Sequence, residues 1–170
     1  GICSDVSSYE VKLDKVEPSF SVAASDSKTS GAWHNTDYTI TASGAGNYSG
    51  NTYYSGTASN PTTQGATQSV NMNTSANGTV YYFKVCSGTG ICKTSSYTAK
   101  LDKTDPTFAV TASDSKASGT WHGADFTITA SGANNISGNT YYSGTASNPT
   151  TQGATQSVSN NTTTDRKGDE

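Results

Sequence analysis

Residues 81–101 read YYFKVCSGTGICKTSSYTAKL, two segments in which apolar and polar residues alternate on either side of a glycine-rich turn. Alternation with a period of two places every second side chain on the same face of a β-strand. The residues expected to point inward are Tyr81, Phe83, Val85, Tyr97, Ala99 and Leu101. This stretch therefore predicts a β-hairpin with one apolar face.

Further short strands are predicted N-terminal to this hairpin. One alternates Phe20, Val22 and Ala24 with small residues, and another carries Tyr38, Ile40 and Ala42 between threonines. Turn-forming sequences such as Asn60-Pro61 and Ala76-Asn77-Gly78 separate the apolar segments. Several short strands with turns between them favour an all-β, antiparallel β-sandwich over a parallel sheet covered by helices.

The sequence repeats itself at a spacing of 88 residues, at which Trp33 returns as Trp121. The segment SGNTYYSGTASNPTTQGATQSV at 49–70 returns unchanged at 137–158. Such a period indicates a modular chain. We expect residues 1–12 to be the closing strand of a preceding repeat, or a donor strand, and residues 13–100 to be a complete repeat. Residues 101–164 would be a second repeat without its last two strands, and residues 165–170 a charged tail.

Composition excludes several classes of protein. The chain is 31% apolar and 14% charged with a net charge of −3, so it has no positive field that would attract nucleic acid. It has no apolar run of about 18 residues that would insert into a membrane. Its ten tyrosines and two tryptophans argue against a disordered chain.

Four motifs, taken in order, resemble bacterial immunoglobulin-like (Big-type) tandem repeat domains of secreted or cell-surface proteins. They are YTAKLDKTDPTF at 97–108, WHGADFTITASG at 121–132, NGTVYYFKV at 77–85 and the tyrosine-bearing segment at 52–54. The resemblance extends to Val158. It implies tandem immunoglobulin-like sandwiches in an extracellular structural or adhesive module, and it supplies no catalytic site.

Cys86 and Cys92 flank the glycine-rich turn, where opposed positions of a hairpin could carry a disulfide. A disulfide would suit an exported protein, whereas two reduced thiols would suit a cytosolic one. Cys3 aligns with Cys92, so the partner expected for Cys3 lies outside the chain.

Carboxylates occur in the segments LDKVEP and LDKTDP, which we expect to join repeats. Asp14, Asp102 and Asp105 could contribute to a calcium site that stiffens these junctions. Calcium takes six or more oxygen ligands, however, so the alternative is a solvated linker whose direction is fixed by Pro18 and Pro106.

Two tyrosine pairs are candidates for stacking on sugar rings, Tyr53 with Tyr54 and Tyr141 with Tyr142. The alternative is that one member of each pair belongs to the core and the other covers a sheet face. Asn-x-Ser/Thr sequons suggest surface glycosylation. They lie at Asn47, Asn73, Asn77, Asn135, Asn160 and Asn161.

Catalytic chemistry has few candidates. His34 and His122 are the only histidines, and each follows a tryptophan at a repeated position, which favours a structural role. We predict no enzyme activity, no cofactor and no metal centre.

The function expected is that of an extracellular or cell-surface structural repeat, a stalk or filament module. Its partners would be neighbouring copies of the same repeat or subunit, assembled head-to-tail by strand complementation. The alternative is an adhesin module that binds a cell-surface glycan or a host protein.

Overall fold

The computed structural model describes Gly1 and residues 4–159, and every regular element in that part of the chain is a β-strand. The prediction of an all-β chain is confirmed. None of the described segments forms a helix that could cross a membrane. The chain divides into two compact units, Gly1–Lys103 and Thr104–Glu170.

The first unit contains two sheets. Its strands are β1 (Ser19–Ala24), β2 (Trp33–His34), β3 (Tyr38–Gly46), β4 (Asn51–Gly56), β5 (Thr67–Val70), β6 (Thr79–Ser87) and β7 (Cys92–Leu101). One sheet has the order β1-β3-β5 and the other the order β2-β7-β6-β4. Neighbouring strands are antiparallel, except that β2 runs parallel to β7.

Both sheets contribute to one hydrophobic core, as expected for a β-sandwich. Of the hairpin residues predicted to point inward, Phe83, Tyr97, Ala99 and Leu101 are buried in this core, Val85 is fully inaccessible, and Tyr81 is half-buried against the core. The core cluster consists of Ala24, Tyr38, Ile40, Ala42, Val70, Phe83, Tyr97, Ala99 and Leu101, with Phe20, Val22, Tyr53 and Tyr81 packed against it. The period-two pattern of the sequence is therefore the pattern of burial.

The end of the first unit lies slightly later than the sequence predicted. Leu101 was placed at the start of the second repeat, but it is the last residue of β7 and its side chain is fully buried in the first unit. The reason is that strand alternation continues through Tyr97, Ala99 and Leu101, so the third apolar residue faces the same core.

The turn before β6 depends on a glycine. Gly78 has a φ of +81°, and a Cβ atom there would lie 2.5 Å from the carbonyl oxygen of Ala99 on β7. Only glycine combines this backbone conformation with such a close approach.

The segment before β1 contains no strand in residues 4–18, and its apolar side chains are exposed, except for the buried Pro18. Tyr9 is 90% exposed, Val11 77% and Leu13 76%. Their repeat counterparts Tyr97, Ala99 and Leu101 belong to the buried face of β7. The same alternating sequence is therefore not packed against a core when it precedes the first unit.

The second unit contains five short strands in its described residues. They are β8 (Ala109–Ala112), β9 (Phe126–Ser131), β10 (Tyr142–Ser143), β11 (Thr151–Gln152) and β12 (Thr155–Val158). One sheet has the order β12-β9-β8, and β10 pairs with β11. Up to residue 159 this unit has no counterpart of β6 or β7, and an open groove of about 670 Å³ borders Val110, Trp121, Phe126 and Ile128.

Candidate functional site

A disulfide closes the hairpin between β6 and β7. Cys86 and Cys92 are directly opposite each other in the ladder, and their sulfur atoms are bonded. Because Val85 points into the core, the alternation places the disulfide on the outward side of the sheet. Cys3, whose partner was expected outside the chain, lies outside the described residues.

The segment that enters the first unit is fastened beside this hairpin. The Ser49 hydroxyl donates to the Asp14 carboxylate at 2.5 Å, and the Val16 backbone N–H donates to it at 3.1 Å. These hydrogen bonds, in that order of size, hold the pKa of Asp14 below its ordinary value. The Asp14 carbonyl accepts a hydrogen bond from Thr89 at the hairpin tip. A carboxylate predicted as a calcium ligand is thus engaged in holding the chain.

The asparagine of the first sequon takes part in the same contacts. The Asn47 side-chain amide donates to the Val16 carbonyl at 2.6 Å. In the second unit the Asn135 amide donates to the Thr104 carbonyl at 2.5 Å, so the repeat holds its entry segment in the same way. Any glycan on either asparagine would be attached to an amide that already contacts the backbone.

The segment that leaves the first unit is fastened at the other end of β7. The Asp102 N–H donates to the His34 carbonyl, and the Lys103 N–H donates to the Asn73 side chain. The Lys103 ammonium lies 2.7 Å from the Asp37 carboxylate. β7 has ten residues, so entry and exit contacts are separated by about 30 Å at ~3.3 Å per residue.

The predicted calcium ligands do not gather into a recognisable metal site. Asp14 and Asp102 lie at opposite ends of β7, and Asp105 is an exposed residue of the second unit. Within the described residues, no three His, Cys, Asp or Glu side chains lie close enough together to hold a metal ion. Calcium binding at the junctions stays a prediction that these contacts do not favour.

Each histidine is held by an aspartate and stacked on an aromatic ring. His34 is buried, its Nδ1 lies 2.8 Å from Oδ2 of Asp26, and its ring stacks on Tyr38 with centroids 3.6 Å apart. Burial alone would raise the pKa of Asp26, but the Lys28 N–H and His34 outweigh it and lower the pKa. Burial raises the pKa of Tyr38 to about 12.

The second unit repeats this arrangement, with Nδ1 of His122 2.7 Å from Oδ2 of Asp114 and its ring stacked on Phe126. This contact between aspartate and histidine, called the clasp below, recurs at the same position of both repeats, which favours a structural role.

The two tyrosines of β4 have different roles. Tyr53 packs against the core and its hydroxyl accepts a hydrogen bond from the Ala45 N–H, as Tyr141 does from Ala133. Tyr54 points outward and lies opposite Lys84, whose Nζ is 5.0 Å from the ring centroid. Tyr142, its repeat, is 53% exposed. The first tyrosine of each pair is therefore engaged within its own unit, whereas the second faces outward.

An outward surface of the first unit was not recognised in the sequence. It consists of Trp33, Tyr54, Tyr82, Lys84 and Lys100, and is called the aromatic–lysine face below. Part of this surface could have been predicted from the sequence, because the alternation that places Phe83 and Val85 inward places Tyr82 and Lys84 outward. Trp33 had no such signal, since β2 is only two residues long.

The remaining sequons lie on the surface of the first unit or outside the described residues. Asn77 is exposed in the turn before β6, and Asn73 accepts the hydrogen bond from Lys103. Asn160 and Asn161 lie outside the described residues.

Comparison with known proteins adds no relative. No family model matches the chain, and neither a curated protein nor a solved structure resembles it significantly.

Proposed function

We propose that this chain is part of an extracellular, non-enzymatic structural protein, in which immunoglobulin-like repeats act as stalk or filament modules. The observation that carries this proposal is the fastening of the chain at both ends of β7. Asp14 and Asn47 hold the entry segment beside the hairpin, while Asp37 and Asn73 hold the exit segment at the far end. A module of this kind would act as a spacer between the segment that enters it and the segment that leaves it.

The strand arrangement supports the immunoglobulin-like assignment. The first unit has seven strands in about 100 residues, divided between a three-stranded and a four-stranded sheet that share a core. The repeated clasp of Asp26 with His34, and of Asp114 with His122, supports tandem copies of one design.

An extracellular location is supported by the hairpin disulfide, because disulfides persist mainly in oxidising compartments. A non-enzymatic role is supported by the histidines. The Nε2 atom of His34 is buried, so it cannot reach a substrate in solvent.

Head-to-tail assembly by strand complementation is supported by two exposed apolar surfaces. The segment with Tyr9, Val11 and Leu13 repeats the buried face of β7 but is exposed. The second unit presents an open sheet on which Ile128 is 36% exposed, whereas its counterpart Ile40 is inaccessible. Exposed strand-forming segments and open sheets are the elements that pair in strand addition.

Light scattering and electron microscopy of the full chain, over a range of concentrations, test the proposal. We expect elongated oligomers, and we expect Val11→Asp to abolish them because a charge would have to enter a core. Val6→Asp is the matched control, since Val6 aligns with the exposed Thr94. Compact monomers at every concentration, or equal effects of the two variants, would contradict strand complementation.

A further inference from the structure

The two sheets of the first unit differ sharply in charge. The strands β2, β4, β6 and β7 contain three lysines (Lys84, Lys93 and Lys100) and no aspartate or glutamate, although the whole chain has a net charge of −3. The strands β1, β3 and β5 contain no charged residue. Among the strands of the first unit, positively charged residues therefore occur in only one of the two sheets.

The same sheet also carries the outward aromatic rings. Tyr54 on β4 lies opposite Lys84, and Tyr82 on β6 lies opposite Gly56, which has no side chain to cover the tyrosine ring. Both tyrosines are half-buried. Nζ of Lys84 lies 2.9 Å from Oδ1 of Asn60, so an amide group borders the rings as well.

A second aromatic and lysine pair lies on the far edge of this sheet. Nζ of Lys100 is 5.4 Å from the centre of the Trp33 ring, and these two residues are partners in the β2–β7 ladder. Across the sheet, Trp33 on β2 and Tyr54 on β4 are three strand spacings apart, about 14 Å, whereas Lys100 and Lys84 lie on adjacent strands. Along the strands the two pairs are about 20 Å apart, because Lys84 lies opposite Thr94. The aromatic–lysine face is thus far longer than one sugar ring.

We propose that the aromatic–lysine face binds an acidic polysaccharide. The apolar faces of the sugar rings stack on Tyr54, Tyr82 and Trp33, because aromatic rings combine a flat apolar surface with low conformational freedom. The carboxylates of uronic acids pair with Lys84 and Lys100, which form charge-assisted hydrogen bonds. The extended separation of the two pairs matches a chain of sugars rather than a single one.

Charge complementarity selects this ligand. A neutral glycan would use the rings but not the lysines, and an acidic peptide would use the lysines but not the flat rings. This ligand adds to the structural role proposed above and does not depend on it.

Isothermal titration calorimetry of the full chain tests the proposal, with an oligogalacturonate as the probe. We expect binding that weakens as the ionic strength rises from about 20 to 200 mM, because salt screens surface charges. Tyr54→Ala and Lys84→Gln should each weaken binding roughly fivefold to tenfold, the range for one aromatic or cation contact. Circular dichroism confirms that each variant is folded.

The repeat provides a matched control. Tyr142→Ala changes the same residue in the same local sequence, but the described part of the second unit has no counterpart of Lys84 or Tyr82, so binding should be unchanged. The proposal would be overturned by no binding of oligogalacturonate, by equal binding of a neutral gluco-oligosaccharide, or by an equal loss in Tyr142→Ala. Binding of polyglutamate that is as tight and indifferent to Tyr54→Ala would also overturn it, since charge alone would then suffice.

Discussion

Residues 49–70 and 137–158 have the same sequence but differ in structure. In the first unit, residues 51–56 of this segment form β4, a six-residue strand, whereas the matching residues 139–144 of the second unit contain only β10, a strand of two residues. The difference is the neighbour: β4 pairs along its whole length with β6, and the described part of the second unit has no such strand. Strand length here is set by tertiary pairing more than by local sequence.

Contacts within each copy survive the difference. The Gln68 side chain donates to the Ser55 hydroxyl, and Gln156 donates to Ser143 in the same way. Burial is not the same in the two copies, because Ile40 is inaccessible and Ile128 is 36% exposed. Burial requires an opposing sheet. Interactions between residues close in sequence are therefore a property of the repeat, and its core is a property of the complete unit.

The largest loss of stability is expected from a substitution at the centre of β6. Phe83→Ala should destabilise the first unit by about 3–5 kcal/mol, since a fully buried ring is lost and a cavity is left. Denaturant unfolding measures the loss, and hydrogen exchange should show the amides of β4 becoming as unprotected as those of residues 139–144. Tyr82→Ala, on the outward face, is the control; an equal loss there would mean that Phe83 is not the core anchor.

Reduction of the disulfide should have the next largest effect. The loop closed by Cys86 and Cys92 is short, so its opening should cost about 2 kcal/mol in the chain-entropy model. Thermal unfolding with and without reductant measures this change, and the Cys86→Ser, Cys92→Ser double variant should reproduce it. Equal unfolding temperatures with and without reductant would contradict this prediction.

A smaller loss of stability is expected when the asparagine that holds the entry segment is removed from either unit. Asn47→Ala and Asn135→Ala each remove one hydrogen bond to a backbone carbonyl and two that the asparagine accepts from Ser49 or Ser137, so the loss of these exposed hydrogen bonds should cost about 1–2 kcal/mol in each variant. Urea unfolding of the two single variants measures the losses. If only Asn47→Ala were destabilising, the entry contact would depend on the complete core and not on the repeat.

The smallest effect is expected from acid, which should weaken the hydrogen bonds that hold the entry segment. The pKa of Asp14 is lower in the folded protein than in the unfolded chain, so its contribution is fully present above about pH 4 and is lost as the pH falls through the folded value. Exchange at the Val16 amide, followed from about pH 5 to pH 2 after correction for intrinsic rates, measures this loss. Asp14→Asn should flatten the profile; an unchanged profile would assign the effect to another carboxylate.

The strands with clear alternation were predictable from the sequence. Phe83, Val85 and Tyr97 were expected to face inward, and they do. β2 was not predictable, because two residues carry no periodic signal and its parallel pairing joins residues far apart in the chain. The clasp between Asp26 and His34 was missed for a similar reason, since nothing in the spacing of these residues indicates that the loop folds back.

The candidate site was predictable only in part. Tyr54 was named, but its partner Lys84 became visible only with the β4–β6 register, in which the two side chains are opposed. Trp33 and Lys100 likewise meet through pairing across the sheet. A single sequence shows which face a residue occupies more readily than which residue lies beside it.

The position of the two fastened segments at opposite ends of β7 determines how the first unit would respond to mechanical tension. A pull applied through these segments is directed along the strands, so the ladder between β6 and β7 is loaded in shear. Its hydrogen bonds would then bear the force together instead of opening one after another, as they would if the strands were peeled apart from one end.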